Sequence, residues 1–228
     1  MNLKTHWDTI YGKKAPDAVS WYRPHLETSL ELIERVAAGR SASIIDVGGG
    51  ESTLVDDLLA EGYSDLSVLD ISQVAVDKTK ERLGLSSDGV RWLVGDVTTV
   101  KLEASAYDVW HDRAVFHFLA SDEERMAYVA QVASAVRSGG HVIVSTFGPE
   151  GPTQCSGLDV VRTLGRGDLL SESLSEFRCD DRLDFLGADR GLLFALLIIR
   201  SLTDHTDRRP IAVVVVVVVI FIRVVGEV

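Results

Sequence analysis

The chain contains little cysteine and few basic residues relative to acidic ones. Only two of its 228 residues are cysteine, Cys155 and Cys179, and they lie far apart. This scarcity excludes a disulfide framework, and without any metal-ligand spacing no metal site is predicted. Lysine and arginine total 23 against 34 aspartate and glutamate residues, which gives a formal net charge of -11. Because a phosphate backbone needs a basic face, no nucleic-acid partner is expected.

Long apolar runs are also missing. The longest uninterrupted run, residues 211–222, is shorter than the roughly 18–20 residues that a membrane-spanning helix needs, so no membrane partner is expected. The first residues, MNLKTHWDTIYGKK, lack the apolar core of a signal peptide, and a cytoplasmic location is the expectation. The remaining composition is typical of a soluble globular protein.

Strand and helix patterns alternate between residues 25 and 147. Ser72 is placed to cap one helix, and Ser121 with Glu124 forms the capping box of another. The predicted helices are 25–38, 52–62, 73–84 and 121–139, and the predicted strands are 43–48, 66–71, 90–96, 106–112 and 141–147. The pattern predicts an α/β fold with a doubly wound, Rossmann-like sheet, mostly parallel strands and helices on both faces. Ligands of such sheets bind beyond the carboxyl ends of the strands.

A glycine turn, IIDVGGGES at residues 44–52, follows the first predicted strand. A P-loop is excluded because no lysine lies near in the sequence. A dinucleotide fingerprint needs a third glycine where Thr53 stands. Asp46 and Glu51 would also repel a pyrophosphate at the helix N-terminus. S-adenosylmethionine carries a sulfonium and an ammonium group but no phosphate, so acids beside the turn favour it.

Two further acids end the next two predicted strands. Asp70, followed by Ile71, is placed to accept hydrogen bonds from ribose hydroxyls, as in NAD enzymes. Asp96 can accept from the exocyclic amine of adenine, and the backbone N–H of Val97 can donate to a ring nitrogen. The alternative for both acids is an ordinary helix N-cap, since Ser72 and Thr98 lie close by.

Four motifs occur in order, and together they resemble the class I S-adenosylmethionine-dependent methyltransferases, specifically their small type 11/12/25-like domain. They are IIDVGGGES, VLDIS, VGDVTTV and YDVWHDRAVFHFL, and the resemblance covers roughly residues 5–157. It implies an enzyme in which Asp46, Gly48 and Gly50 form the turn that binds S-adenosyl-L-methionine. Ser52 stands where the family usually has another glycine.

By the same resemblance, Asp70 and Ile71 belong to the ribose site and Asp96 and Val97 to the adenine site. The methyl acceptor is expected to be a small metabolite or a protein lysine. The alternatives are a non-catalytic S-adenosylmethionine-binding or interaction protein and, third, an NAD-dependent oxidoreductase. The Asn-Pro-Pro-Tyr pattern of nucleic-acid amino methyltransferases is absent, which argues against a DNA adenine substrate.

The aromatic N-terminal segment, residues 1–24, resembles the segment that folds over the cofactor in a subgroup of these enzymes. Aromatic faces also attract a sulfonium through cation–π interaction. Plain packing of an N-terminal arm is the alternative. The aromatic residues in question are Trp7, Tyr11, Trp21 and Tyr22.

The segment WHDRAVFHFL offers two sets of hypotheses. Asp112 or Arg113 is a candidate contact for the methionine part of the cofactor. His111, Asp112 and His117 are candidate bases, although methyl transfer needs alignment more than acid–base help. The alternative is that His117 packs in the core and Asp112 caps the helix that follows.

The last third of the chain differs from residues 25–157, which form the predicted methyltransferase core. Lysine is absent after Lys101, tryptophan after Trp110 and tyrosine after Tyr128. Residues 158–228 are therefore an atypical segment, in which the apolar stretches 191–202 and 211–225 are candidates for an antiparallel hairpin at the sheet edge. A pure valine run cannot fix its own register. A further hypothesis is that the reading frame departs from that of related proteins near residue 159.

Overall fold

The computed structural model describes residues 2–147 and 151–162, together with the backbone of five short strands in the remainder of the chain. The helices are α1 Leu3–Lys13, α2 Glu27–Val36, α3 Leu54–Ala60, α4 Gln73–Leu83 and α5 Asp122–Ala135. The strands up to residue 159 are β1 Ser43–Val47, β2 Asp65–Asp70, β3 Val90–Val94, β4 Tyr107–Arg113, β5 Val136–Phe147, β6 Gln154–Cys155 and β7 Leu158–Asp159. Those beyond are β8 Cys179–Asp184, β9 Phe194–Ile199, β10 Leu202–Thr203, β11 Pro210–Ile211 and β12 Val214–Ile220.

The main sheet has the strand order β3-β2-β1-β4-β5-β12-β9-β8. Its first five strands are mutually parallel, so the predicted doubly wound α/β fold is confirmed. Apolar clusters lie on both faces of this sheet. One contains Trp110 with Tyr128 of α5, and the other contains Ile33 of α2 with Leu58 of α3. All carboxyl ends of β1 to β5 therefore lie along one edge.

Helix α5 begins as predicted but ends early. The Ser121–Glu124 capping box is present, whereas the helix stops at Ala135 instead of continuing to Gly139. The chain becomes extended there because Val136 pairs with Tyr107 of β4 before a register shift. Tertiary strand pairing thus overrides the local helical pattern. The buried face consists of Tyr128, Val132 and Ala135, while Val129 and Ala133 are only half-buried.

The two apolar stretches of the C-terminal segment contribute neighbouring strands. Strands β9 and β12 pair antiparallel, with Val216 opposite Ile198, as the hairpin hypothesis predicts. Strand β12 also pairs with β5, and this contact is parallel, with Val216 opposite Ile143. The connection at residues 204–209 lies outside the described part of the chain. The frame hypothesis stays a prediction.

None of the helices in the described ranges is both long and apolar enough to cross a membrane.

Candidate functional site

The glycine turn after β1 is a close-packed structure. Gly48 has a positive φ of 73°, and its N–H donates to the carbonyl of Leu69 at 2.7 Å. A Cβ on Gly48 would lie 2.1 Å from Cγ2 of Val115, and one on Gly50 would lie 2.6 Å from Cγ of Asp70. Only glycine fits because the loop after β4 and the end of β2 both close in on the turn.

A cleft of about 440 Å³, including its part open to solvent, lies beside this turn. The structure brings the predicted residues Tyr11, Tyr22, Asp46, Gly48 and Arg113 together in its wall. Trp21 and Glu51, which the sequence also singles out, line it as well. The remaining lining residues, Leu26, Ser52 and Thr53, were not predicted as site residues.

Asp46 is a buried acid with one free oxygen in the described structure. Its Oδ1 accepts a hydrogen bond from Nδ1 of His111 at 2.7 Å, and Nε2 of the same ring lies 3.0 Å from Oγ of Ser29. Only 3% of Asp46 is exposed, and Oδ2 has no hydrogen-bond partner among the described residues. A buried carboxylate oxygen without a donor costs free energy, which a ligand bearing N–H groups would remove.

Glu51 forms an ion pair that the sequence does not reveal. Nζ of Lys78 lies 3.1 Å from its Oε1, and the Glu51 side chain is 4% exposed. A lysine is therefore near the turn in space although none is near in the sequence. Because Lys78 compensates Glu51, the electrostatic argument against a pyrophosphate now depends mainly on Asp46.

Arg113 supplies a positive charge to the same cleft. Its Nη2 donates to the carbonyl of Trp21 at 3.1 Å. Burial lowers the pKa of the guanidinium, and the Asp46 carboxylate opposes this shift. The group stays charged near neutral pH because a guanidinium is not deprotonated in proteins. The cleft therefore presents a carboxylate, that of Asp46, and a positively charged guanidinium, that of Arg113, at one end.

The N-terminal arm covers the cleft from the side of α4. Oδ1 of Asp8 accepts a hydrogen bond from Oγ of Ser72 at 2.6 Å, and Lys78 donates to the carbonyls of Tyr11 and Lys14. These contacts hold α1 against α4.

Trp7 stands behind the cleft wall. Its ring centroid lies 5.8 Å from that of Tyr11, 6.1 Å from that of Trp21 and 5.2 Å from that of Phe118. Trp7 does not line the cleft, so its contacts correspond to the packing alternative. Tyr11, Trp21 and Tyr22 form the aromatic part of the wall.

Asp70 and Ile71 end β2 at the same edge but outside the lining of the cleft. The two carboxylate oxygens of Asp70 accept from the backbone N–H of Gly50 at 2.9 Å and of Ser72 at 2.7 Å. Burial raises the pKa of Asp70 to about 6, against the effect of these hydrogen bonds. Asp70 thus fixes the glycine turn against the start of α4.

Asp96 and Val97 follow β3 at the same edge and also lie outside the lining. Oδ1 of Asp96 accepts from both the N–H and the hydroxyl of Thr98, at 2.8 and 2.6 Å. No helix lies in the described residues between β3 and β4, so these bonds stabilise a turn rather than the helix N-cap of the alternative. The side chain of Val97 packs in the core.

Asp112 lies outside the lining of the cleft, and its predicted contact with the methionine part of the cofactor stays a prediction. The side chain is fully buried. Its Oδ1 accepts from the N–H of Val115 at 2.8 Å, and Oδ2 accepts from the N–H of Phe116 at 3.2 Å and from the hydroxyl of Tyr128 at 2.7 Å. Burial raises the pKa of Asp112 to about 6. Its hydrogen bonds correspond to the capping alternative.

His117 lies in the core, as its own alternative states. Its ring stacks on Phe147 with centroids 4.4 Å apart, and burial lowers its pKa to about 3. Neither ring nitrogen has a hydrogen-bond partner in the described structure.

The sequence does not indicate Ser29 as a site residue, and it indicates His111 only as a candidate base. One pattern could have joined Asp46 and His111: each is a polar residue near the carboxyl end of its strand. The sheet places them opposite each other, in register, on β1 and β4. Ser29 gives no sequence signal because serine is common in helices that face solvent.

The fold and the cleft define the class of this domain. A parallel sheet with a glycine turn after β1, an acid ending β2 and another following β3 is a doubly wound domain, whose ligands bind at the carboxyl ends of the strands. A family model described as "Methyltransferase domain" matches residues 44–140. The chain therefore carries a class I S-adenosylmethionine-dependent methyltransferase domain, as the motifs predicted.

Curated relatives are similar at low identity. The chain is 24% identical over 144 residues to the eEF1A lysine and N-terminal methyltransferase of Mus musculus, a match that covers 60% of this chain and 20% of that protein. It is 22% identical over 162 residues to EEF1A lysine methyltransferase 2 of Danio rerio, covering 64% of this chain and 69% of that protein. The chain thus spans about a fifth of the length of the first relative.

A solved structure shows the same fold. Phosphoethanolamine N-methyltransferase 1 of Haemonchus contortus, in complex with phosphoethanolamine and S-adenosylhomocysteine, superposes with a TM-score of 0.55 at 15% identity. The match covers 74% of this chain and 36% of that one.

Proposed function

We propose that the protein is a cytoplasmic S-adenosylmethionine-dependent methyltransferase that acts on an amine, either a protein lysine or a small metabolite. The observation that carries this proposal is the buried Oδ2 of Asp46, which lacks a donor, in a cleft that also contains Arg113. A carboxylate and a guanidinium at one end of a cleft are complementary in charge to the ammonium and carboxylate groups of an amino acid. The methionine end of S-adenosylmethionine has both groups, whereas a dinucleotide has neither.

The residues present fit this cofactor. Asp46 would bind its ammonium group and Arg113 its carboxylate, while the glycine turn leaves room for close backbone approach. Asp70 and Asp96 would serve the ribose and adenine, because each carboxylate oxygen can accept more than one hydrogen bond. When bound, the sulfonium supplies the electrophilic methyl group, and the aromatic wall of Tyr11, Trp21 and Tyr22 suits its positive charge.

Asp70 and Asp96 lie outside the present cleft lining, and Asp70 is only 5% exposed. Occupation of the ribose site would therefore require α1 to move away from the end of β2. The arm is attached to α4 through Asp8 and Lys78, so those contacts would open or rearrange.

The acceptor proposal comes from the relatives, two of which carry lysine methyltransferase names. The net charge of -11 favours association with a positively charged acceptor or acceptor protein. The structural neighbour bound to phosphoethanolamine supports a small amine as the alternative acceptor.

Calorimetric titration with S-adenosylhomocysteine and with NAD tests the cofactor class. We expect binding of S-adenosylhomocysteine and none of NAD. Binding of NAD alone would refute the proposal.

Methyl transfer from labelled S-adenosylmethionine tests the activity. Lysine-rich proteins and small primary amines serve as separate acceptor sets, and incorporation into one set assigns the acceptor. Cofactor binding without transfer to either set would favour a non-catalytic binding protein.

Replacement of Asp70 by alanine tests the ribose site. We expect weaker binding of S-adenosylhomocysteine by about 1–3 kcal/mol, because hydroxyls lose their acceptor and the turn loses its anchor. An unchanged affinity in calorimetry would remove Asp70 from the site.

A further inference from the structure

A series of hydrogen-bonded side chains connects helix α2, through strand β4, to the acid of the cleft. Oγ of Ser29 lies 3.0 Å from Nε2 of His111, and Nδ1 of His111 lies 2.7 Å from Oδ1 of Asp46. All three side chains are at most 5% exposed. The order resembles a nucleophile–base–acid triad, but the serine lies on the buried face of α2 and the acid lines the cleft.

For a neutral His111 ring, the chemistry of the groups sets the direction of each hydrogen bond. An ionised carboxylate only accepts, so Nδ1 of His111 carries a proton and donates to Asp46. In the neutral ring Nε2 is then an acceptor, and the hydroxyl of Ser29 donates to it. This tautomer uses Oδ1 of Asp46 and leaves Oδ2 for a ligand.

We propose that Ser29 and His111 are positioning residues for the cofactor: they hold the Asp46 carboxylate so that Oδ2 faces the ammonium group of the ligand. The inference rests on the proposed function. Asp46 lies within a buried strand, and its carboxylate has no other hydrogen bond in the described structure. Without His111, its carboxylate would lose the contact that sets its rotamer, and a buried group without a partner reorients towards whatever donor it finds.

Two ligands separate positioning of Asp46 from general damage to the site. S-adenosylhomocysteine has the amino-acid end, whereas 5′-methylthioadenosine has the same adenosine part without the ammonium and carboxylate groups. A change that acts through Asp46 weakens only the first ligand. A change that distorts the glycine turn or the ends of β2 and β3 weakens both.

Substitutions of His111 provide the main test. In His111→Leu the donor to Asp46 is lost, and we expect about tenfold weaker binding of S-adenosylhomocysteine, the equivalent of one hydrogen bond to a charged group. Binding of 5′-methylthioadenosine should change less than about twofold. In His111→Asn the amide nitrogen stands near the place of Nδ1 and restores a donor, so S-adenosylhomocysteine should bind within about threefold of wild type.

Ser29→Ala is the milder variant, in which the ring keeps its bond to Asp46 but loses its anchor. We expect about threefold weaker binding of S-adenosylhomocysteine and unchanged binding of 5′-methylthioadenosine. His141→Leu is the matched control, because His141 is a half-buried strand histidine near the opposite end of the sheet, paired with Val109 and Val214. Both ligands should bind this control as they bind wild type.

Equal weakening of both ligands by His111→Leu, or no weakening of either, would overturn the positioning role. If His111→Leu does not fold, the same criteria apply to Ser29→Ala. Wild-type protein that binds neither ligand would contradict the proposed function instead, so the two failures are distinguishable.

Discussion

His117 should make the protein sensitive to acid, and replacing it should remove a defined part of that sensitivity. The ring is 1% exposed and lies against Phe147. Desolvation lowers its pKa from 6.5 to about 3. Between these two pH values the His117 ring is therefore neutral in the folded protein and protonated in the unfolded chain. The resulting stability is fully present above pH 6.5 and is lost progressively as the pH falls towards 3.

The magnitude follows from the two pKa values. Proton linkage with these values costs the folded state about 2 kcal/mol at pH 5 and almost nothing at pH 7.5. In His117→Phe this contribution disappears. The larger phenylalanine ring also changes the packing, which alters the unfolding free energy equally at both pH values. This contribution cancels in the difference between the two pH values for the variant.

Urea unfolding of wild type and His117→Phe at pH 7.5 and pH 5 measures the effect. We expect wild type to lose about 2 kcal/mol more than the variant between the two pH values. His25→Gln is the control, since His25 is exposed and Asp57 raises its pKa, which is a shift of opposite sign. Equal losses for wild type and His117→Phe would show that His117 is solvated or has a partner, and would refute the reasoning.

Three further substitutions test the local geometry of the fold. Gly48→Ala should lower the unfolding free energy by at least about 2 kcal/mol, because its φ is 73° and its Cβ would lie 2.1 Å from Val115; wild-type stability in urea would contradict the close-packed turn. Ala114→Gly should raise stability by up to about 1 kcal/mol, because Ala114 has a φ of 76°, a conformation that favours glycine; a lower melting temperature would argue against this backbone. Ser121→Ala should cost about 1 kcal/mol by removing the cap shared with Glu124, and thermal unfolding unchanged from wild type would show that the cap contributes little.

The sequence by itself determined the elements that depend on local patterns. The alternation of short apolar strands with capped helices predicted the order and class of the core, because period and capping are local properties. The glycine turn and the acid at 46 were equally visible. The end of α5 was not, since the extended conformation at Val136 is set by pairing with Tyr107 of β4, which lies far back in the sequence.

Only the tertiary structure decided which polar residues meet and which way they face. Asp112 and Arg113 are adjacent in the sequence, yet strand alternation sends the first into the core and the second towards the cleft. Lys78 reaches Glu51 from another helix. Ser29, His111 and Asp46 come from three separate elements, and their hydrogen bonds exist only once α2 packs on the sheet. Sequence patterns record local periodicity, whereas the electrostatics of this cleft depend on contacts between distant parts of the chain.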